Sequence, residues 1–306
     1  MTTARRGVPA RYENIELHED FGPVMETVDD YAVKRFAFAV DDYHPWYFGE
    51  SPFGGRIGHA GILANEILQL FTQVYDANTV VGLHTHEELW FINPIRVPEQ
   101  VRLHGRYVEK YERRGKGYVV MEADARGEDG RVLVRHRGVE ILHIEPSGVV
   151  GKGTAEPPER RVTGEYRKDV DPAARAVPGL LPGTPLAPLF KQPRQDQIAV
   201  FSMVGKHFRN IHTDIEVARR AGLTNTLAQG QMEAVYLTEL LTSFFGASWF
   251  TSGWQKVKFI RPVYCEDKLK VGGVVTQERR QDEDTLLDLD IWVENENGQM
   301  TAAGWA

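Results

Sequence analysis

Two short stretches carry residues whose types and spacing suit acid–base chemistry. "HFRNIHTDIEVARRAG" (His207 to Gly222) offers His207 and His212 five residues apart, then a helix start. Thr213 with Glu216 three positions on has the spacing of a capping box, and Gly222 is placed to end that helix. The second, "DYHPWY" (Asp42 to Tyr47), holds a carboxylate, an imidazole at His44 and a phenol within six residues. The plainer account of His207 and His212 is loop histidines bonded to backbone, and that of Asp42 is a turn or cap carboxylate. In "HTHEEL" His84 and His86 fall on one face of a possible strand beside Glu87 and Glu88. Two histidines at that spacing can ligate zinc, but without an evident third and fourth ligand no metal is expected.

These residues must be positioned by regular elements, and the chain shows them twice. "FINPIRVPEQVRLHGRYVEKYERR" (Phe91 to Arg114) is matched by "FIRPVYCEDKLKVGGVVTQERR" (Phe259 to Arg280). Each copy continues as a strand, a polar turn and a second strand. Upstream of each strand set lies one predicted helix, Ile62 to Tyr75 and Gln231 to Phe245. The first has nine apolar residues of fourteen, its polar ones confined to about a third of the wheel. So wide an apolar arc fits a helix enclosed by a curved antiparallel sheet. Between the copies, residues 145–193 are rich in Pro and Gly without sustained periodicity, and are read as a linker. The resulting organisation is α+β: an N-terminal unit over 1–144 and a C-terminal unit over 194–306, each a long helix wrapped by an antiparallel sheet.

Composition sets the outer limits. At 306 residues the chain has ample material for two buried cores. A net charge of −7 gives no reason to expect nucleic acid or anionic membrane as a partner. No stretch resembles a signal peptide or a bilayer span, and the single cysteine, Cys265, suits a reducing cytoplasm. No Gly-rich phosphate loop, dinucleotide fingerprint or Gly-x-Ser-x-Gly elbow is present, and no cofactor is expected.

The order of loop, helix and strands, given twice, describes two hotdog folds in tandem. Its loops resemble the MaoC-like, (R)-specific enoyl-CoA hydratase group, with its Asp-x-Asn-Pro-x-His motif and a His-Gly at the helix start. The resemblance implies that Asp42 and Pro45 match the motif, that His44 replaces the Asn, and that Tyr47 stands for the His. In "GHAG", His59 matches the helix-start His and Ala60 replaces the Gly. In the second copy His207 stands for the Asp, Arg209 for the Asn, Asn210 for the Pro, and His212 matches the His. Gln229 replaces the helix-start His and Gly230 keeps the Gly. The candidate catalytic residues are therefore Asp42, Tyr47, His59, His207 and His212. Ala60, Gly61 and Gly230 are candidates for presenting helix-start N–H groups to a thioester oxygen.

Neither loop keeps the motif's own Asp/His pair, and a Tyr with a pKa near ~10 is a poor base at neutral pH. This favours hydrolysis of an acyl-CoA thioester, which asks less of a base. Hydration or dehydration of acyl-CoA is the close alternative, and a non-catalytic acyl-thioester subunit the third. Arg113, Arg114, Arg279 and Arg280 are candidates for CoA phosphates, against the simpler account of solvated hairpin tips. The expected partner is an acyl-CoA or carrier-bound acyl thioester, and a homodimer is compatible with the fold.

Overall fold

The computed structural model describes residues 6–76, 82–142, 160–202, 209–282 and 284–306. The amino-terminal half contains β1 (Val8–Pro9), β2 (Val24–Val28), α1 (Asp30–Val40), α2 (Pro45–Phe48), α3 (Ala64–Leu68), β3 (Tyr75–Asp76), β4 (Gly82–Phe91), β5 (Glu99–Arg113), β6 (Lys116–Arg126) and β7 (Val132–Leu142). The carboxy-terminal half contains β8 (Leu189–Lys191), α4 (Gln195–Ser202), α5 (Ile215–Arg220), α6 (Gly230–Phe245), α7 (Trp249–Ser252), β9 (Trp254–Phe259), β10 (Leu269–Gln281), β11 (Asp284–Asn295) and β12 (Met300–Trp305).

Ten strands form one sheet in the order β2-β5-β6-β7-β4-β9-β12-β11-β10-β8. All of its neighbours are antiparallel, and β5–β6, β6–β7, β10–β11 and β11–β12 are consecutive strands joined by short turns. β4 and β9 make the seam between halves, with His86 opposite Lys258 and Trp90 opposite Trp254. Each half is thus a hotdog, and the two sheets run on into one another. α6 lies inside this curve with Met232, Ala234, Val235, Leu237 and Leu241 fully enclosed. Its burial on nearly every side fits a helix enclosed by a curved sheet.

The first helix departs from expectation. The stretch Ile62 to Tyr75 is not one long helix: α3 covers Ala64–Leu68, and Gln69–Gln73 tighten into a 3₁₀ turn. At the junction the Gln69 N–H is shared between Asn65 and Ile67 carbonyls, and the Gln69 amide bonds back to Asn65 Oδ1. Asn65 in turn donates to Phe201 O of α4 at 2.5 Å. Side-chain bonds to other elements therefore compete with continued α-helical winding here.

The region read as linker also holds more than a connection. β8 pairs with β10 at the sheet edge, and Leu186 N–H donates to Gly273 O just before it. Three residues are too short a strand to leave a periodic signal. Val162 packs with Val274, Trp292 and Ala303 on the outer face, and Arg160 pairs with Asp290 at 2.5 Å. No helix of the described residues is long and apolar enough to cross a membrane.

Candidate active site

The end of α1 aims the first functional side chain. Asp41 takes a left-handed conformation (φ 53°), and the Asp42 N–H bonds back to Ala37 O, so the chain turns sharply and buries Asp42. Asp42 Oδ1 then accepts from the His44 N–H at 3.0 Å, closing a short Asx turn. His44 Nδ1 accepts from the Trp46 N–H and caps α2, whose first residue is Pro45. This one-turn helix presents the Tyr47 hydroxyl to Asp42 Oδ2 at 3.2 Å.

His59 arrives from the other side of the loop. Ser51 to Gly55 form a tight turn, with Gly54 and Gly55 at φ 77° and 93°, a conformation that excludes a matching helix. Gly58 N–H donates to Ile95 O, and the following turn brings His59 Nε2 to 3.4 Å from Asp42 Oδ2. His59 Nδ1 accepts from the Gly61 N–H at 2.9 Å, so the neutral ring carries its proton on Nε2, facing the carboxylate. Burial is the main cause that lowers His59 to about 4, partly opposed by the charge of Asp42. Tyr47 is raised well above its ordinary value by burial, then by Asp42. The structure therefore assembles Asp42, Tyr47 and His59 into one buried group, with His59 completing a carboxylate–imidazole pair.

The carboxy-terminal half reaches into this group. Lys191 of β8 donates to Val40 O and Asp41 O, the carbonyls that end α1, at 3.0 and 2.8 Å. It also pairs with Glu239 of α6 at 2.6 Å and lies over the Tyr236 ring. Glu239 is raised to about 8, first by burial and then by the charge of Asp42. Neither residue was a sequence candidate. Lys191 lies in the Pro- and Gly-rich stretch, and Glu239 falls within the predicted helix Gln231 to Phe245.

The helix-start candidates sit differently from expectation. Ala60 and Gly61 precede α3 by several residues, in a turn. The Gly61 N–H is already engaged by His59, and a Cβ at Gly61 would stand 3.1 Å from Val235 of α6. Gly230 does begin α6, but a Cβ there would meet the Phe259 ring at 2.8 Å, so this glycine lets helix and sheet approach.

In the second loop, His212 Nδ1 donates to Leu227 O at 2.8 Å, and burial lowers the ring's proton affinity. Asn210 Oδ1 accepts from the N–H groups of His212 and Thr213. The cap of α5 is Asp214, not Thr213: its Oδ1 accepts from Glu216 and Val217 N–H, because Thr213 Oγ1 is taken by the Asn210 N–H. Gly222, at φ 82°, follows the end of α5 as predicted. Arg209 pairs with Asp214. His207 lies outside the described residues.

The arginine candidates occupy the β5–β6 and β10–β11 hairpin tips, and Arg279 is held by Asp288 in a two-pronged pair at 2.6 and 2.7 Å. His84 and His86 do not share a site. A bulge between them separates their faces: His86 Nδ1 contacts Thr85 Oγ1, whereas His84 joins Glu87 and His136. The third residue missing from the sequence reading is thus supplied by His136 of β7.

Residues 156–291 match the family model of the MaoC like domain. A solved MaoC-like dehydratase is similar over 96% of this chain and 99% of its own, with 15% identity and a TM-score of 0.72. A MaoC domain dehydratase from Chloroflexus aurantiacus J-10-fl aligns over 99% and 97% at 9% identity, TM-score 0.71. Rv0216 of Mycobacterium tuberculosis, described as a double hotdog, aligns over 96% of both chains at 13% identity, TM-score 0.67. No curated protein matches the sequence.

Proposed function

We propose that this protein, a double hotdog with a MaoC-like domain, adds water to an enoyl thioester or removes it from the 3-hydroxyacyl thioester. The observation that carries the reading is the buried pair of Asp42 Oδ2 and His59 Nε2, 3.4 Å apart, with the Tyr47 hydroxyl on the same oxygen. Asp42 is the base. Its carboxylate takes a proton from water as the water oxygen bonds to C3, and the C2=C3 electrons move toward the thioester carbonyl. The same proton then passes from Asp42 to C2, so H and OH are both added and the carboxylate is regenerated. His59, neutral through the working pH range, offers its Nε2–H to the water oxygen and orients it. Tyr47 donates to Asp42 and keeps that carboxylate in place.

Hydrolysis, favoured by the sequence, makes a different demand. It needs no acid–base pair across a C=C bond, while both reactions call for N–H donors at the thioester oxygen. The buried Asp42–His59 pair is what supports hydration as the first reading. The substrate class, a CoA or carrier-bound acyl thioester, follows from the MaoC-like resemblance.

The test follows thiol release and the enoyl chromophore together on a panel of saturated, enoyl and aromatic acyl-CoAs. Loss of the chromophore without thiol is expected. Thiol release with the double bond intact would replace this reading by thioesterase activity. Binding without either change would leave an acyl-thioester subunit.

A further inference from the structure

The inner face of the amino-terminal sheet holds a second polar cluster, on strands that carry none of the Asp42 group. Glu87 of β4 lies opposite Gly138 of β7, and Leu89 lies opposite His136. The bulge after His84 turns that ring to the same side. His84 Nε2 and His136 Nε2 each stand 3.1 Å from Glu87 Oε2. One donor atom from each of the three side chains lies within 4.8 Å of the others. Glu87 and His136 are shut off from solvent, and His84 retains about a tenth of its surface.

Ordinary core packing accounts poorly for this group. A carboxylate and two imidazoles are costly to bury, and the cost falls only if their polar atoms are matched. Glu87 Oε1 and His136 Nδ1 have no hydrogen-bond partner. Gly138 is also informative: a Cβ there would come within 2.8 Å of His136 and 3.3 Å of His84 Nε2. The missing side chain leaves room for two rings to converge. Glu140, cross-strand from His84 and bonded by the Tyr107 hydroxyl, adds a second carboxyl beside them.

We propose that His84, Glu87 and His136 bind one divalent transition-metal ion of the zinc class. Two imidazole nitrogens and one carboxylate oxygen are a donor set such ions favour, with bonds of about 2.0–2.2 Å. One His₂Glu set leaves a coordination position for water or a further oxygen. The ion would tie β4 to β7 beside the seam between halves. This site stands apart from the proposed hydration, and its test does not read activity.

The full-length protein, stripped with a chelator and dialysed, is titrated with Co²⁺ by visible absorption and with Zn²⁺ by competition against a chromophoric chelator. One equivalent of either ion is expected to bind. Glu87→Gln and His136→Gln should each weaken it at least tenfold, whereas His86→Ala should bind as the parent does. No stoichiometric binding, or equal binding by Glu87→Gln and His136→Gln, would overturn the proposal. Should those variants fail to fold, X-ray absorption on the zinc-loaded parent decides. A shell with two imidazoles and a carboxylate supports the site, and a shell lacking histidine overturns it.

Discussion

The two corresponding loops of this chain differ in what each gathers. The first brings Asp42, Tyr47 and His59 into one buried group, with His59 Nε2 3.4 Å from Asp42 Oδ2, but the helix behind them is shortened to Ala64–Leu68. The second keeps the long helix, Gly230–Phe245, yet its histidine is bonded to a backbone carbonyl and Gly230 is covered by an aromatic ring. A long helix is therefore not what gathers polar side chains in a hotdog loop. In the first loop that is done by the turn that ends α1 and by the cross-half contacts that fix it, and a base must be aimed before its proton affinity matters.

The sharpest way to break this comparison is at Asp42. Asp42→Asn keeps the Asx turn and removes the base, so kcat/KM for hydration should fall about 10³-fold, within the range for a general base. A loss under tenfold would move the chemistry to the other loop. His59→Gln should cost about 10²-fold in kcat with little change in fold, read by steady-state kinetics beside circular dichroism. Lys191→Met tests whether the second half positions the first. It removes the cation from the α1 carbonyls and should lower kcat about tenfold while KM changes less, on the order of what misplacing a catalytic group costs. His212→Gln should change turnover less than about twofold, since its ring serves the backbone. A loss comparable to that of Asp42→Asn would make the second loop catalytic.

The smallest effect is confined to stability. Glu233, enclosed in the second half's helix, is raised to about 8 by burial, with only a hydrogen bond from Thr301 opposing it. The folded state therefore binds this proton more tightly than the unfolded chain does. The associated stability is complete below the ordinary carboxylate range and is lost as pH rises through about 8. Glu233→Gln should remove that loss, so that its Tm exceeds the parent's by on the order of 5 °C at pH 9 and by little at pH 5. Equal Tm curves across that range would show that Glu233 is not the buried acid described.

What could be read in advance followed from local pattern. The repeated Phe-Ile-x-Pro strands and the predicted helix before each pointed to two hotdogs. Tyr47 and His59 were placed near Asp42 only by the MaoC-like resemblance. The remainder depends on contacts between distant segments. Lys191 reaches Asp41 from 150 residues away on a three-residue strand, and no periodic signal marks so short an element. His136 meets His84 only because a bulge changes the strand's phase, and an alternating pattern read without it pairs His84 with His86 instead. Thr213 had the right spacing for a cap but was already claimed by Asn210, and Gly61 was free in sequence but engaged in space.

The seam between β4 and β9 has a consequence for how such a molecule can change. In a dimer of identical hotdogs each substitution is made twice, once beside each catalytic loop, and must be tolerated in both places. Joined in one chain, the copies answer to different demands. A lysine at 191 need suit only the α1 end it grips, and the loop around His212 need not match the one around Asp42. Divergence in one copy then leaves the other copy's partner residues free to specialise, and difference between halves becomes a way of refining a single site.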